Sequence, residues 1–173
     1  RYIQNLLDMT RLGQQSLSLK RDCVMVEDLV YSAAQRLKRY QPDVNIRFQI
    51  QPDMPAIHVH AALIEQALFN VLENGAKFSG ANAPLVIYAN TTEKSWITID
   101  VADSGPGIPE EERTKIFDMF FSMKRGDRST QGTGLGLTIV LGIVRSHMGD
   151  VEALPGIDGI GTLIRIKLPI QTG

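Results

Sequence analysis

The sequence contains one cysteine among its 173 residues, Cys23, so no internal disulfide can form. Its cysteine and histidine residues also lack the spacing of a metal-binding motif. Both absences suit a reducing compartment such as the cytosol, where burial of apolar side chains rather than cross-linking stabilises a fold. We expect Cys23 itself to be a small, buried or half-buried packing residue.

Long hydrophobic runs and an excess of one charge are also absent. No apolar run reaches the roughly 18 residues that a membrane-spanning helix needs, and no signal peptide is recognisable. The 18 basic residues are balanced by 19 acidic ones. That balance leaves no broad basic surface for a nucleic acid backbone, which argues against DNA or RNA binding. The chain begins at Arg1 within a helical pattern, so we interpret it as a fragment whose parent could carry a membrane anchor upstream.

What is present predicts one compact domain with a short appendage. Apolar residues make up 43% of the chain, which is enough for one core. Helical and alternating intervals of these residues predict the elements that follow. Helices are predicted at 2–13, 26–40, 61–78, 109–117 and 135–147. Strands are predicted at 44–50, 56–60, 84–92, 95–102, 150–154 and 162–168, with a short edge strand around 17–19.

Two glycine clusters bracket a polar segment, 118–131, that we expect to be an exposed and movable lid. The first cluster is DSGPG at 103–107, directly after a predicted strand, and the second is GTGLG at 132–136, directly before a predicted helix. Glycine costs a folded chain conformational entropy, so such clusters indicate positive φ or a ligand against bare backbone. A helix start also offers free amide N–H groups to phosphate. We infer a nucleotide site.

Other interpretations of these motifs fit less well. The second cluster lacks the spacing and the preceding strand of a dinucleotide-binding fingerprint, and no Walker A sequence is present. A purely structural origin would require every glycine to serve a turn, and turns do not demand alternating triple glycine before a helix. His58, His60 and His147 lie near no hydrolase motif, so we expect them to be packing residues.

Five polar residues form one stripe along the predicted helix 61–78, namely Gln66, Asn70, Glu73, Asn74 and Lys77. Periodicity alone is compatible with a solvated face. Two asparagines one turn apart, Asn70 and Asn74, also offer carbonyl oxygens to a hard cation such as Mg²⁺, and Lys77 offers positive charge to phosphates. Asp103 is either a turn residue or an acceptor for the exocyclic amino group of adenine, with Gly105 and Gly107 leaving room for the ring.

The order of these motifs resembles the N, G1, F, G2 and G3 boxes of the catalytic ATP-binding domain of sensor histidine kinases. The matching residues are Asn70, Asn74, Lys77 and Phe78; Asp103, Gly105, Gly107 and Ile108; Ile116, Phe117 and Phe120; Gly132, Gly134, Leu135, Gly136 and Leu137; and Gly159, Gly161 and Thr162. Residues 1–13 resemble the end of the dimerisation and phosphoacceptor hairpin. The segments 6–12 and 72–87 are most similar to potassium-responsive sensor kinases.

The resemblance implies an α+β fold, the two-layer α/β sandwich of the Bergerat ATP-binding domain, with a mixed sheet covered by helices on one face. Residues 14–173 would form this domain, with ATP and Mg²⁺ as its cofactors. Asn74 would bind Mg²⁺ with Asn70 beside it, Lys77 would reach the phosphates, and Asp103 would accept from the adenine amino group. The remaining nucleotide-binding residues would be Phe78, Gly105, Gly107, Ile108, Gly132, Thr133, Gly134, Leu135, Gly136, Leu137 and Thr162.

The resemblance also implies the reaction. Gyrases, mismatch-repair proteins and heat-shock ATPases of this fold hydrolyse ATP with a glutamate at the position of Asn70, and a carboxamide cannot take a proton from water. Phosphoryl transfer to a histidine on the absent hairpin therefore fits better than hydrolysis, with Asn70, Asn74 and Lys77 as catalytic residues. The alternative is a catalytically silent ATP-binding module that acts by conformation or docking.

The implied setting is a cytoplasmic domain of a membrane-anchored, homodimeric sensor that serves a response regulator. Lys124, Arg125 and Arg128 are equal candidates for a contact with the γ-phosphate. One departure from the family is Gly75, where alanine is common, and it would loosen the helix by up to ~1 kcal/mol.

Overall fold

Three α-helices and seven strands make up the regular structure of the residues that the computed structural model describes, namely 20–80, 83–93, 95–119, 121 and 136–170. The helices are α1 (Val26–Tyr40), α2 (Ala61–Phe78) and α3 (Gly136–Ser146). The strands are β1 (Asp22–Met25), β2 (Ile46–Ile50), β3 (Ala56–Val59), β4 (Leu85–Thr92), β5 (Trp96–Ala102), β6 (Asp150–Pro155) and β7 (Thr162–Pro169). Short 3₁₀ turns lie at Glu110–Glu112, Lys115–Phe117 and Ile157–Gly159.

The strands form two sheets. The larger has the order β2-β4-β5-β7-β6, in which β2 runs parallel to β4 and the other neighbours are antiparallel. The smaller is the antiparallel pair of β1 and β3. The predicted mixed sheet is thus confirmed.

The helices cover one face of the larger sheet, as predicted. On that face Ile97, Ile99 and Val101 of the central strand β5 are at most 2% exposed. The ring of Tyr31 on α1 lies 4.8 Å from that of Phe48 on β2, which places α1 over the sheet edge. Each fully buried side chain of this size contributes about 1.5–3 kcal/mol, so this layer supplies most of the fold's stability.

The opposite face of the sheet is polar. Asp100 on β5 accepts two hydrogen bonds from Arg165 on β7, both 2.9 Å long. These bonds raise the pKa of the Arg165 guanidinium, and Lys167 lies 4.8 Å from the Trp96 ring centroid beside them. The two faces together give the predicted two-layer sandwich.

The helix predicted at 109–117 is wrong, because this segment forms only the two 3₁₀ turns at Glu110–Glu112 and Lys115–Phe117. Pro109 and the following glutamates resemble a helix N-terminus, but no residue of the first turn is buried. Without an apolar stripe, a short segment has no packing to stabilise a helix. The buried residues Ile116 and Phe117 instead anchor its end to the core.

The N-terminal predictions have mixed outcomes. The predicted helix 2–13 and edge strand 17–19 lie outside the described residues, as does most of 118–131. Strand β1 was not predicted, and Cys23 within it is exposed rather than buried. The reason is alternation on a two-stranded ribbon, which turns the neighbouring Val24 inward and Cys23 outward. None of the helices among the described residues is long and apolar enough to cross a membrane.

Two of the three histidines have the packing roles that we expected. His147 is 2% exposed, its Nδ1 lies 2.8 Å from the Ile143 carbonyl, and its Nε2 accepts from the His60 N–H at 3.1 Å. Burial lowers the pKa of His147, which favours this neutral form. The His60 side chain in turn accepts from the Leu63 N–H and caps α2.

Candidate nucleotide-binding site

Asp103 lies where three segments meet: the C-terminal turn of α2, the loop 103–107 after β5, and the turn 159–161 before β7. Its Oδ1 accepts from the N–H groups of Gly105 at 2.9 Å and Thr162 at 3.0 Å. Its own N–H donates to the Thr162 carbonyl at 2.9 Å. These bonds hold both the backbone and the carboxylate of Asp103 in one orientation.

The other carboxylate oxygen of Asp103, Oδ2, makes no hydrogen bond within the described part of the chain. Burial raises the pKa of this carboxyl, and the N–H groups of Gly105 and Thr162 oppose the rise only in part. A half-buried carboxylate with one satisfied oxygen and one unshared acceptor suits a ligand that donates hydrogen bonds, such as an amino-purine.

Glycines make the close packing around Asp103 possible. A Cβ on Gly161, where φ is +70°, would collide with the Asp103 carbonyl oxygen. A Cβ on Gly105 would lie 2.7 Å from the Phe78 carbonyl oxygen, and one on Gly107, where φ is +79°, would lie 3.3 Å from the Gly161 carbonyl oxygen. The glycines therefore bring three backbone segments into contact and leave bare backbone around the carboxylate.

The C-terminal turn of α2 closes one side of this loop. Gly75 is buried, and a Cβ there would lie 3.6 Å from the Asp103 Cβ and 3.0 Å from Leu85 Cδ2. The missing methyl group thus has a packing reason, because Leu85 occupies the space beside it. Ser79 adds a bond that the sequence did not suggest, since its Oγ accepts from the Ser104 N–H at 3.1 Å.

The predicted metal and phosphate residues of α2 differ in exposure. Asn70 is 6% exposed, Asn74 is half-buried and Lys77 is exposed. The Asn74 side chain makes no hydrogen bond within the part of the chain that is described. The Lys77 Nζ lies 5.6 Å from the centroid of the Phe78 ring.

Asn70 is the most constrained of these residues. Its Oδ1 accepts from Gln66 Nε2 at 2.8 Å, and its Nδ2 donates to the Gly136 carbonyl at 3.2 Å. Gln66 Oε1 in turn accepts from Arg36 at 2.6 Å. Gln66 belonged to the predicted polar stripe, but Arg36 carried no signal because it lies 30 residues away on α1.

The remaining predicted residues lie at the start of α3, next to the loop 103–107, at the start of β7, or outside the described part of the chain. Gly136 is the first residue of α3, and a Cβ there would meet none of the described residues within 4 Å; Leu137 packs against the core. Thr138 Oγ1 donates to the Phe117 carbonyl at 2.9 Å, which joins α3 to the 3₁₀ turn. Ile108 also packs against the core, and Thr162 is 5% exposed. The structure does not describe Gly132, Thr133, Gly134, Leu135 and the lid cations Lys124, Arg125 and Arg128.

Known proteins share this fold and these motifs. Residues 59–172 match the family described as histidine kinase-, DNA gyrase B-, and HSP90-like ATPases. The sensor protein KdpD of Escherichia coli is 37% identical over 176 aligned residues, which cover 99% of this chain and 19% of KdpD. The chain thus spans about a fifth of that relative.

Solved structures agree. The mycobacterial sensor histidine kinase MprB superposes with a TM-score of 0.74 at 28% identity, over 86% of this chain and 97% of that one. Full-length ShkA in complex with AMPPNP superposes with a TM-score of 0.83 at 25% identity, over 99% of this chain and 35% of that one. The chain belongs to the histidine kinase-, DNA gyrase B- and HSP90-like ATPases, and within that family it is the ATP-binding catalytic domain of a sensor histidine kinase.

Proposed function

We propose that this domain transfers the γ-phosphoryl group of ATP to a histidine on a dimerisation hairpin, rather than to water. The state of Asn70 supports this most directly. Hydrolysis needs a base beside the nucleotide to take a proton from water. The Asn70 carboxamide is neutral and buried, and Gln66 and Gly136 already occupy its oxygen and its nitrogen. Asn70 therefore cannot activate a water molecule as a base, which favours a nucleophile supplied by the hairpin.

The nucleotide assignments follow from the geometry around Asp103. We assign the unshared oxygen of Asp103 to the adenine amino group, with Phe78 and Ile108 beside the ring and Gly105, Gly107 and Thr162 lining it with backbone. ShkA, the structural neighbour solved with AMPPNP, supports a nucleotide in this fold.

We assign the phosphates to Lys77, to Gly136 and Leu137 at the start of α3, and to the residues that precede them in the sequence, Gly132, Thr133, Gly134 and Leu135. Asn74 is the Mg²⁺ ligand that we favour, because its oxygen is available whereas that of Asn70 accepts from Gln66. Mg²⁺ bound there would neutralise the charge that develops on the transferred phosphoryl group. The protein itself contributes orientation and fixed dipoles.

The rest of the proposal concerns the parent protein. Residues 1–13 would be the end of the hairpin helix, and 14–173 the catalytic domain. The parent would be a homodimer, anchored in the membrane, with this domain in the cytoplasm and a response regulator as its partner. The segments 6–12 and 72–87 resemble potassium-responsive sensor kinases, and we therefore propose a parent of that kind.

The test is phosphorylation in trans. The chain is incubated with γ-labelled ATP and Mg²⁺, with and without a purified hairpin of the parent protein that bears the phosphoacceptor histidine. We expect stable label on the hairpin and none on this chain alone. A hairpin with His→Gln at the phosphoacceptor is the control for site. ATP binding without transfer would favour the silent module, and stable label on this chain alone would refute the assignment of the nucleophile.

A further inference from the structure

A continuous line of hydrogen bonds crosses all three helices behind the nucleotide site. Arg36 on α1 donates to Gln66 Oε1 at 2.6 Å, and Gln66 Nε2 donates to Asn70 Oδ1 at 2.8 Å on α2. Asn70 Nδ2 then donates to the carbonyl of Gly136, the first residue of α3, at 3.2 Å. We refer to Arg36, Gln66 and Asn70 as the relay.

The chemistry of its two ends sets the direction of the relay. A guanidinium can only donate, so Arg36 requires the oxygen of Gln66 to face it. The nitrogen of Gln66 must then face Asn70, which turns the Asn70 oxygen toward it and the Asn70 nitrogen toward α3. A backbone carbonyl can only accept, and Gly136 presents one at that place. Each amide has one orientation that satisfies both neighbours.

Packing holds the first member of the relay in place. The Arg36 guanidinium carbon lies 4.0 Å from the centroid of the Phe69 ring, on the next helix. Phe69 is itself 6% exposed, and Tyr40 lies against it with ring centroids 6.0 Å apart. A cation held over a buried ring loses little additional freedom when it donates to Gln66. The relay therefore starts from a fixed point.

We propose that the relay is a positioning device for phosphoryl transfer, in which Arg36, acting through Gln66 and Asn70, sets where the first turn of α3 lies relative to Asn74 and Lys77. The inference rests on the proposed function, which places the phosphates at that first turn. Asn70 is one helical turn from Asn74, so a single bond ties the proposed metal ligand to the proposed phosphate cradle. None of the three residues needs to touch the nucleotide.

If the relay positions the phosphate site, its loss should have an effect that a general loss of fold stability would not have. Adenosine binds at Asp103, which the relay does not contact, whereas the phosphates bind at α3. A substitution that breaks the relay should lower the affinity for ligands that carry the triphosphate and leave the affinity for adenosine unchanged. A general loss of folded protein would weaken both equally.

The experiment measures the affinities of AMPPNP with Mg²⁺ and of adenosine for the 173-residue chain, by ligand-observed NMR and calorimetry. Gln66→Met cuts the relay without changing charge, and Gln35→Met, at an exposed position on α1, is its matched control. Arg36→Met removes the first donor, and Arg36→Lys retains a group that only donates. Arg39→Met controls for loss of one positive charge on the same helix.

We expect Gln66→Met to lower the affinity for AMPPNP about tenfold, which is the usual effect of losing one well-placed hydrogen bond. Adenosine affinity should change less than about twofold. Arg36→Met should lower AMPPNP affinity by a smaller factor, and Arg36→Lys should bind AMPPNP nearly as tightly as wild type. Both control variants, Gln35→Met and Arg39→Met, should bind AMPPNP as wild type does. The double variant Arg36→Met with Gln66→Met should bind no more weakly than Gln66→Met alone, because one broken link already disconnects the relay.

The outcomes separate the relay from the proposed function. If wild type binds AMPPNP and Gln66→Met binds it equally well, the relay is refuted while the nucleotide site stands. Equal weakening of AMPPNP and adenosine would assign the relay a structural role only and would also refute the inference. If wild type binds no nucleotide at millimolar concentration, the proposed function fails and the relay inference fails with it.

Discussion

Asp103 and Thr162 are joined by two reciprocal contacts: the Thr162 N–H donates to Asp103 Oδ1 at 3.0 Å, and the Asp103 N–H donates to the Thr162 carbonyl at 2.9 Å. The two residues are 59 positions apart in the chain. Because the end of β5 and the start of β7 carry these bonds, the sheet itself orients the carboxylate. The sheet thereby also fixes the position of Oδ2, which makes no hydrogen bond within the described part of the chain.

Asp103→Asn should separate binding from stability. The amide oxygen can still accept from Gly105 and Thr162, but the other position becomes an N–H donor that faces the donor of adenine. We expect AMPPNP affinity to fall by about two orders of magnitude, as for other mismatched buried polar groups. Burial raises the pKa of Asp103, so its charge at neutral pH is a cost, and the free energy of unfolding at pH 7 should not decrease.

Calorimetric titration and urea denaturation measure the two effects of Asp103→Asn. Asn90→Ala, which replaces a half-buried residue on β4, serves as the control for binding. Unchanged AMPPNP affinity in Asp103→Asn would remove Asp103 from the adenine site.

The raised pKa of Asp103 also predicts how binding depends on pH. Protonation of the Asp103 carboxyl would place a donor opposite the adenine amino group, and this carboxyl protonates at a higher pH than an ordinary aspartate, whose pKa is about 3.9. Adenosine affinity should therefore fall as the pH drops through this raised value. Adenosine is the better probe because it has no phosphate that titrates in the same range.

The stability of the fold should depend on pH with the opposite sign to the affinity for adenosine. The native state holds the Asp103 proton more tightly than the unfolded chain does, so this carboxyl adds stability below its unfolded pKa and the gain is lost as pH rises through the folded value. The difference in unfolding free energy between wild type and Asp103→Asn, measured from pH 4 to 7, should grow with pH in favour of the variant. A difference that does not vary with pH would contradict the shift.

Asn74→Ala tests the metal assignment. The variant removes a carbonyl oxygen that makes no bond in the described part of the chain, so the fold should tolerate it. We expect AMPPNP to bind with and without Mg²⁺ at similar affinity, whereas wild type should bind more tightly with Mg²⁺. Titrations with and without the ion measure this. Undiminished Mg²⁺ dependence in the variant would place the metal elsewhere.

Two glycines of the turn before β7 provide a matched pair. Gly159 and Gly161 have φ of +75° and +70°, but a Cβ on Gly159 would meet no described residue within 4 Å, whereas one on Gly161 would collide with the Asp103 carbonyl. Gly159→Ala should cost about 1 kcal/mol of backbone strain. Gly161→Ala should cost about 2 kcal/mol more and weaken AMPPNP. Urea denaturation compares them, and equal losses would show that the collision relaxes freely.

Much of the fold was predictable because its signals are local. The patterns at 26–40 and 61–78 predicted α1 and α2 with the bounds that the structure gives. Regular apolar spacing defined both helices, and Pro42 stands two residues after the end of α1. The helix predicted at 109–117 was wrong because the segment has the signals of a helix start but no apolar face to bury. The prediction that Cys23 is buried or half-buried was wrong because residue type alone does not determine which side of a two-stranded ribbon a residue faces.

The sequence predicted which residues belong to the site better than it predicted the contacts between them. The order of the motifs predicted the family, which the comparisons confirm, whereas the roles of the individual site residues stay predictions. Nothing in the sequence connects Arg36 to Gln66, or Ser79 to Ser104. Those contacts join different elements, and side-chain hydrogen bonds between elements leave no periodic trace along the chain.

By itself the sequence determined the bounds of α1 and α2 and the places where glycine permits close approach, because periodicity and backbone freedom are properties of neighbouring residues. Only the tertiary structure decided that Asp103 meets Thr162 and that the oxygen of Asn70 faces Gln66. The first follows from the pairing of Ala102 with Leu163, which aligns the end of β5 with the start of β7. The second follows from Arg36, which reaches Gln66 only because α1 packs against α2.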